Sequence, residues 1–484
     1  MEKKDTVDLT HVDYDAAMLT RTMWRDVLGG TEALRAKHTT YLPQFPLETD
    51  KDYEDRWSAA TLVNATSKTL EAFCGLVCQN EVTLGEDVPA EIVKLSENID
   101  NKGNHINIVV RDVFERSFDG CCVILTDTPQ AKANDLAEQQ ALDLRPYVIV
   151  YDAADVINWD YRVNEVTKKT ELSLIVLRER KSIKGGQFLR TTQTQYLVYW
   201  LDEAGNVTWQ RWAETKNKRG AIEHIPLTQP AIIEAQTAIP AAIVGKLSGK
   251  PPLRDLAYKN LEHAQTYSDY KTIIHKTCVP IPYTTGVDAE EFGKIVKMGN
   301  TMFHLPAEGS IGFAEVAGGS IDKTKNALDD IKQDMAMLGL AMLAGKPTQG
   351  DVTATETMLD SIQEMSALQV MAMQLKDALE LTFGFMAKYL GIDSGGSITL
   401  GANWNQMVLS ESELTMYSNM VADGNYPLEY LLLKLQEAGK LPDGKTADDA
   451  LAAIDEEMKK IKPLTSVKML EGQGMEEDDN ASDV

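Results

Sequence analysis

The stretch PPLRDLAYKNLEHAQTYSDYKTIIHKT, residues 251–277, decides how the chain is organised. The two prolines at its start end the preceding secondary structure. Apolar side chains then recur at helical spacing, which predicts a helix over residues 253–277. A second stretch with the same period predicts a helix over residues 321–343. Each helix is expected to span about 35 Å at 1.5 Å per residue. The two helices therefore frame an insert, residues 278–320, in which prolines, glycines and short β-like pieces alternate.

Helical patterns dominate the chain before this segment, and a β-rich region separates the two. A helical stretch is predicted over residues 12–37, with an interruption at Gly29-Gly30, and one long helix over residues 53–77. Two further helices are predicted at residues 91–99 and 106–118. A buried strand is expected at residues 121–125 after the helix stop Gly120. From residue 147 to residue 212 the period changes to two, which predicts an antiparallel meander, and shorter strands follow at residues 222–227 and 239–244.

Beyond the second helix, a loop rich in glycine, proline and threonine precedes another long helical pattern that ends near residue 390. A short strand is expected at residues 398–400, followed by helices at residues 412–422, 427–438 and 447–460. The tail, residues 471–484, has six acidic and no basic residues, so we expect it to be disordered and solvated. The fold class is predicted to be α+β, mainly helical.

The 484 residues are 43% hydrophobic and 25% charged, which are values of a folded globular protein. With 48 Lys and Arg against 73 Asp and Glu, the net charge is −25, so the overall field argues against tight binding to DNA or to an acidic membrane. Residues 253–345 are nearly balanced, with nine basic and twelve acidic side chains. The chain has no signal-peptide pattern and no apolar run long enough for a bilayer, so we expect synthesis in a cytoplasm and no membrane partner.

The sequence contains no motif of a catalytic, metal or nucleotide site. Residues 339–346 resemble a phosphate-binding loop, but the glycine spacing is one residue too long and Pro347 stands where Ser or Thr should bind magnesium. The seven histidines are scattered, and the five cysteines form no zinc pair, so free thiols are expected. We therefore expect no enzymatic activity, no cofactor and no metal.

Short motifs in a particular order make the chain similar to the portal proteins, or head-to-tail connectors, of tailed bacteriophages. No single motif is specific, and their order from about residue 41 to residue 400 carries the resemblance. The motifs are Tyr41-Leu42-Pro43, Tyr53-x-x-x-Trp57-x-x-Ala60 with Asn64, Ile99-Asp100-x-x-Gly103, Gly120-Cys121-Cys122-Val123-Ile124-Leu125-x-Asp127-x-Pro129, Arg145-Pro146-Tyr147, Ile157-Asn158-Trp159, Pro251-Pro252-Leu253-x-Asp255-Leu256-Ala257, Ser268-Asp269-Tyr270, and Gly339 with Thr353-Ala354-Thr355-Glu356.

The resemblance implies a portal-type architecture with a wing, a two-helix stem, a small clip insert, a tunnel loop and a helical crown. Carried over by position, these parts are an N-terminal wing (1–252), stem helix 1 (253–277), clip (278–320), stem helix 2 (321–343), tunnel loop (344–354), a wing region with a long helix (355–409) and crown (410–470), followed by the acidic tail (471–484).

The function implied is a ring of about twelve copies in the virion, at one capsid vertex, through which double-stranded DNA is packaged and later ejected. The implied partners are the large subunit of a separate terminase motor, the major capsid and scaffold proteins, and a neck adaptor. The residues expected to face DNA are Lys346, Pro347, Thr348, Gln349 and Asp351 in the tunnel loop and Lys271, Lys276, Lys323, Lys325 and Lys332 on the stem. The alternatives are another virion neck or adaptor protein, which would usually be shorter, and a hydrolase without a recognised motif.

Overall fold

A computed structural model describes residues 5–129, 144–165, 167–277, 281–285, 310–314, 319–340, 367–401, 411–422, 424, 426–437, 441, 446–454 and 456. The chain forms two compact units, Met1–Leu400 and Gly401–Val484. Helices and antiparallel sheets are both present, which agrees with the predicted α+β class.

The N-terminal helical stretch is interrupted at the two glycines where the sequence predicts a break. Helix α1 (Val12–Leu28) ends before Gly29 and α2 (Gly30–Ala36) begins with Gly30, whose φ of +72° suits a residue without a Cβ atom. A 3₁₀ turn, His38–Thr40, follows. The inner side of α1 is fully buried at Trp24, which is 1% exposed.

The single helix predicted over residues 53–77 is wrong, because the structure has two helices there. Helix α3 (Asp50–Ala59) ends at an extended residue, Ala60, and α4 (Ala65–Val77) begins after Asn64. The carbonyl of Ala60 accepts a hydrogen bond from a guanidinium of α2, and the Asn64 side chain caps the first turn of α4. Tertiary hydrogen bonds therefore replace helical ones in the connecting segment, although the apolar stripe continues through it.

The next elements build a three-stranded antiparallel sheet in the order β10–β2–β3. They are β1 (Asn80–Leu84), α5 (Ala90–Ser96), α6 (Ile106–Ser117), β2 (Cys121–Asp127), β3 (Tyr147–Asp152) and, later in the chain, β10 (Ala241–Gly245). Strand β2 is buried from end to end except at Asp127, as its continuous apolar run predicts.

The second sheet has six antiparallel strands, with the path β4–β5–β6–β7–β8 and β9 paired with β7. Its strands are β4 (Val156–Val163), β5 (Thr170–Lys184), β6 (Arg190–Leu201), β7 (Val207–Lys216), β8 (Ile222–Pro226) and β9 (Ala231–Ile232). The predicted meander is confirmed for β4 to β7, and the short strand predicted at residues 222–227 joins it as β8. Its first predicted strand, β3, belongs instead to the three-stranded sheet, because strand periodicity identifies a strand but not its partner.

One apolar core combines side chains of both sheets, among them Val123, Leu125, Tyr151, Ile175 and Tyr199. The burial of these large side chains next to one another is the main favourable contribution to the stability of this region.

The two helices predicted around the insert are present as α7 (Arg254–Thr277) and α8 (Gly319–Leu340). Within the insert, β11 (Ile281–Thr285) pairs antiparallel with β12 (Ser310–Ala314). The predicted strand-like piece at residues 301–305 lies outside the described residues.

The chain then returns to its N-terminal part. Helix α9 (Ala367–Leu390) contacts β10, β2, α5 and α6, and β13 (Ile398–Gly401) pairs with β1. The first part of the predicted long helix, residues 355–366, lies outside the described residues. Two separate stretches of chain, one before and one after the α7–α8 helix pair, thus pack on each other.

The second unit is helical where it is described, with α10 (Glu411–Ala422), α11 (Leu428–Glu437) and a helical stretch at residues 447–454. Lys434 of α11 lies 4.7 Å from the ring centre of Tyr417 in α10. The predicted acidic tail at residues 471–484 lies outside the described residues.

Candidate functional site: the α7–α8 helix pair

The start of α7 is fixed by a buried arginine of α1. Arg21 is 0% exposed, and its guanidinium donates hydrogen bonds to the carbonyls of Asp119 at 3.0 Å, Leu247 at 2.8 Å and Gly249 at 2.9 Å. A longer contact, 3.4 Å, reaches the carbonyl of Ala153. Arg21 therefore joins α1 to three separate loops, one of which leads directly into α7.

The carboxylate beside this arginine belongs to Asp119, which also pairs with Arg25. Burial raises the pKa of Asp119 to about 6, although the two cations Arg25 and Arg21 favour its ionised form. The surroundings of Arg21 are thus mainly backbone carbonyls, with one carboxylate that burial partly neutralises.

Three glycines let the backbone close tightly at the same place. Gly120 has a φ of +105° and Gly245 a φ of +82°, both in the left-handed region. A Cβ atom added to Gly120 would lie 2.4 Å from the carbonyl oxygen of Gly249, and one added to Gly249 would lie 2.4 Å from that of Gly120. The segment before α7 therefore packs on the α6–β2 turn at a distance that no other residue allows.

Along its first half, α7 packs against the N-terminal helices through a buried amide. Asn260, 0% exposed, accepts hydrogen bonds from the backbone N–H and the hydroxyl of Thr66 at 3.1 and 3.0 Å, and donates to the carbonyl of Val63 at 2.8 Å. Further along, the Gln265 side chain donates to the carbonyl of Tyr41 at 2.7 Å. These bonds hold α7 against the segments on either side of α3.

Helices α7 and α8 pack antiparallel along their length. Nζ of Lys259, in the second turn of α7, lies 3.1 Å from a carboxylate oxygen of Asp334 near the end of α8. The contact side of α8 is apolar, with Leu328, Ile331 and Met335 at 4%, 7% and 6% exposure. Because the chain enters by α7 and leaves by α8, the insert with β11 and β12 joins the ends that lie farthest from the buried start of α7.

A neutral imidazole lies in this helix contact. His263 is 2% exposed and its ring stacks on that of Tyr267, with centroids 5.9 Å apart. Burial lowers its pKa, and the nearby charge of Lys332 on α8 lowers it further. The Nδ1 atom of His263 has no hydrogen-bond partner within the part of the chain that the structure describes.

The structure describes the side chains of four of the five predicted stem lysines. Three of them lie on α8, and the fourth, on α7, contacts the N-terminal part of the chain. Lys271 lies 3.4 Å from the hydroxyl of Thr61 and 4.7 Å above the ring of Tyr267. Lys332 pairs with Asp329 on its own helix at 2.9 Å, and both Lys323 and Lys325 are exposed. The side chain of Lys276 lies outside the described residues, and so does the whole predicted tunnel loop, Lys346, Pro347, Thr348, Gln349 and Asp351.

Sequence reasoning missed the residues that position the helix pair. Arg21 and Asn260 read as ordinary polar positions in amphipathic helices, and nothing in the local pattern shows that they are fully buried. The available signals were weak: an arginine on the apolar side of α1, and an asparagine in line with Leu256 and His263 on the packed side of α7.

A cavity of about 470 Å³ opens between α3 and the second half of α7, lined on one side by Asp52 and Asp55 and on the other by Lys271 and His275. Arg56 forms part of its floor. Its guanidinium makes a two-pronged ion pair with Glu48, at 2.7 and 2.8 Å, and lies 3.7 Å from Asp269 of α7. These bonds connect α3 to α7 and fix the shape of the cavity.

Among the described residues, no group of His, Cys, Asp and Glu side chains is arranged to hold a metal ion. The helices that the structure describes include none long and apolar enough to cross a membrane.

Comparison with known proteins identifies a family only for part of the chain. Residues 252–390 match the family described as Domain of unknown function (DUF4055), a segment that runs from the start of α7 to the end of α9. No curated protein matches the chain.

Two solved structures are similar at low identity. One is a chain of the virion of a native gene transfer agent particle, with 9% identity and a TM-score of 0.38 over 78% of this chain and 90% of that chain. The other is a chain of the neck of an empty gene transfer agent particle, computed with C6 symmetry, with 10% identity and the same TM-score and coverage. At this TM-score the likeness carries no argument about the present chain.

Proposed function

We propose that this chain is a virion protein of a tailed phage or phage-like particle, and specifically the portal subunit. Copies of it would form a ring of about twelve at one capsid vertex and conduct double-stranded DNA. The observation that carries the proposal is the antiparallel α7–α8 pair with a small sheet, β11 and β12, in the insert between the helices. This arrangement has the order and proportions of the stem and clip that the sequence motifs imply.

The lengths of the two helices support the same reading. Helix α7 has 24 residues and α8 has 22, so they span about 36 and 33 Å at 1.5 Å per residue. Two matched helices fixed at one end by Arg21 and the glycine contacts form a rigid support for whatever the insert touches. The return of α9 and β13 to the N-terminal part gives the proposed wing its two-part composition.

The charge distribution suits a conduit. The whole chain has a net charge of −25, while the two helices together contain seven basic and seven acidic side chains. A strongly basic channel would hold the DNA backbone and stop it from sliding, whereas a balanced one lets DNA move in both directions. Twelve copies would together carry about −300, so apolar and hydrogen-bonded contacts between subunits must outweigh their repulsion.

Lys323 and Lys325 are the leading candidates for transient contact with DNA phosphates, because both are exposed on α8. The same role is proposed for Lys276 and for the tunnel loop, which includes Lys346 and Gln349. Lys271 and Lys332 contribute less, since each already has a partner within the chain.

The proposed role is structural. The energy for packaging would come from a separate terminase, whose large subunit would meet the insert during packaging, and a neck adaptor would take its place afterwards. The major capsid and scaffold proteins would surround the ring at the vertex.

Native mass spectrometry of the purified full-length chain, with negative-stain images of the same sample, tests the proposal. We expect a ring of about twelve copies with a central hole. A stable dimer or trimer with a closed surface would contradict the conduit and would favour the alternatives of an adaptor or an enzyme.

Deletion of residues 347–351 tests the role of the loop. We expect rings of unchanged copy number that package or retain less DNA in a packaging assay with the cognate terminase and capsid. Loss of ring formation would show instead that the loop is needed for assembly.

A further inference from the structure

The long hairpin of β5 and β6 extends beyond its own sheet. Strand β4 last pairs with β5 at Leu177 and β7 first pairs with β6 at Gln195, so the strands beyond these residues pair only with each other, as far as Lys184 and Arg190. The overhang beyond both neighbouring strands has five residue pairs, from Arg180 with Thr194 to Lys184 with Arg190, and is about 17 Å long at 3.4 Å per residue. We call residues 180–192 the arm.

The arm has a composition unlike that of the rest of the chain. It contains four basic residues, Arg180, Lys181, Lys184 and Arg190, and no acidic residue, in a protein with a net charge of −25. The tip between its strands exposes Phe188 at 89% and Leu189 at 60%. A surface that is both basic and apolar in an acidic protein is typical of a contact site.

The arm is also poorly stabilised within one copy. Lys184 and Arg190 lie directly opposite each other, and like charges in that position destabilise a strand pair. A lone two-stranded hairpin is marginal in water even without such repulsion. An acidic partner would neutralise the facing cations and cover the apolar tip.

A surface of opposite character lies on the same chain. Helix α3 exposes four acids, Asp50, Asp52, Glu54 and Asp55, and one base, Lys51, a few residues after Leu47, which is 98% exposed. We call these six residues, whose net charge is −3, the acidic patch. Asp52 and Asp55 of this patch also line the cavity of about 470 Å³ between α3 and α7. The patch and the arm are both exposed in the single chain, so neither satisfies the other within one copy.

We propose that the arm of one copy docks on the acidic patch of a second copy, with the cations of the arm facing the acids of α3 and the apolar tip next to the exposed Leu47. Because arm and patch are different surfaces, the contact is heterologous and propagates from copy to copy until a ring closes. This inference rests on the proposed ring and names the contact that builds it.

Charge reversal of each side tests the proposal. The arm variant replaces Arg180, Lys181 and Lys184 by Glu, and the patch variant replaces Asp52, Glu54 and Asp55 by Lys. In either variant alone, the arm and the patch have the same sign, and we expect the assembled fraction in native mass spectrometry to fall about tenfold or more. A matched control, in which Lys216, Lys218 and Arg219 are replaced by Glu, applies the same charge change as the arm variant to exposed residues at the β7–β8 turn and should assemble like wild type.

Mixing the two variants separates charge complementarity from misfolding. In an equimolar mixture each acidic arm meets a basic patch and each basic arm meets an acidic patch, so rings should reappear with alternating copies. A misfolded variant would not be rescued in this way. Failure of the mixture to assemble, with both variants folded by circular dichroism, would overturn the proposal.

Two other outcomes are distinguishable. If wild type and the arm variant form rings equally well, the arm is not the contact, while the proposed ring stands. If the arm variant assembles normally but loses retardation of a short DNA duplex at low salt, the partner of the arm is DNA, and the docking proposed here is wrong. A wild-type chain that gives a closed dimer contradicts the ring itself.

Discussion

Replacement of Arg21 is the sharpest test of how the fold supports the helix pair. Three of its hydrogen bonds are 3.0 Å or shorter, and bonds that involve a charged group contribute about 1.5–3 kcal/mol each. Removal of the guanidinium also has a stabilising effect, because the folded state no longer has to keep a charge away from water, at a cost of several kcal/mol. We therefore expect Arg21→Met to lower the free energy of unfolding by about 3–5 kcal/mol, because three carbonyls lose their donor at about 1–3 kcal/mol each and the lower desolvation cost offsets part of this loss.

Arg21→Lys separates charge from geometry. Lysine keeps the positive charge but has three donors on one atom, which cannot reach carbonyls on three different loops as a planar guanidinium does. We expect a loss of about 2 kcal/mol, between wild type and Arg21→Met, because some of the carbonyls stay without a donor. Arg219→Met, at an exposed turn, is the control and should change stability by about 0.5 kcal/mol or less.

Urea unfolding measures these differences, with circular dichroism for the helices and fluorescence of the seven tryptophans, one of which, Trp24, is buried one turn after Arg21. All variants must be compared at one protein concentration, because ring formation adds to the apparent stability. A loss below about 1 kcal/mol for Arg21→Met would refute the reasoning, since it would mean that the carbonyls find other donors at little cost.

Three further substitutions test other parts of the helix pair. Gly120→Ala should lower the free energy of unfolding by about 1–3 kcal/mol, because φ is positive at this position and the added Cβ atom would collide with the carbonyl of Gly249. Gly75→Ala, on α4 where a Cβ atom meets open space, should raise it by about 0.5–1 kcal/mol. Thermal unfolding measures both changes. Ile331→Ala should cost about 2–4 kcal/mol in urea unfolding, because this side chain is 7% exposed in the α7–α8 contact, and a smaller loss would mean that the two helices separate readily. Folding lowers the pKa of His263, so below about pH 6.5 the unfolded chain binds more protons than the folded one and stability falls on acidification. The melting temperature of His263→Leu should therefore fall less between pH 7.5 and pH 5.5 than that of wild type. The control His275→Leu, at an exposed position of the same helix, should behave like wild type.

The elements that the sequence predicts well are those whose pattern is local. The run from Cys121 to Leu125 is recognisable as a buried strand because it is continuously apolar, and strands β4 to β7 are recognisable as β-rich runs that turn residues separate. The break between α3 and α4 could not be found in this way. It depends on Arg35, which donates to the carbonyl of Ala60 at 3.0 Å, and on Thr31, whose hydroxyl accepts from the N–H of Leu62 at 3.1 Å. The two partners lie 25 and 31 residues earlier in the chain, and only the Asn64 cap was a local signal.

The same limit applies to the candidate site. The helix pair was predictable because Leu256, Leu261 and Ala264 repeat at helical spacing after two prolines. Which lysines stay free was not, because that depends on neighbours such as Thr61 beside Lys271. The arm is an intermediate case. Its basic composition can be read from the sequence, but its projection beyond the sheet depends on where β4 and β7 stop pairing.

The buried arginine also explains why this region needs a charge in its interior. A buried ion pair can often be replaced by apolar side chains without loss of stability, because both charged partners are removed together. At Arg21 the partners are backbone carbonyls, which no substitution removes and which must be hydrogen-bonded when buried. An arginine satisfies carbonyls of several loops from one point, and it does so where Gly120 and Gly249 bring those loops together. The direction of α7 is therefore set by contacts inside the chain, at the end of the helix pair that lies farthest from the insert.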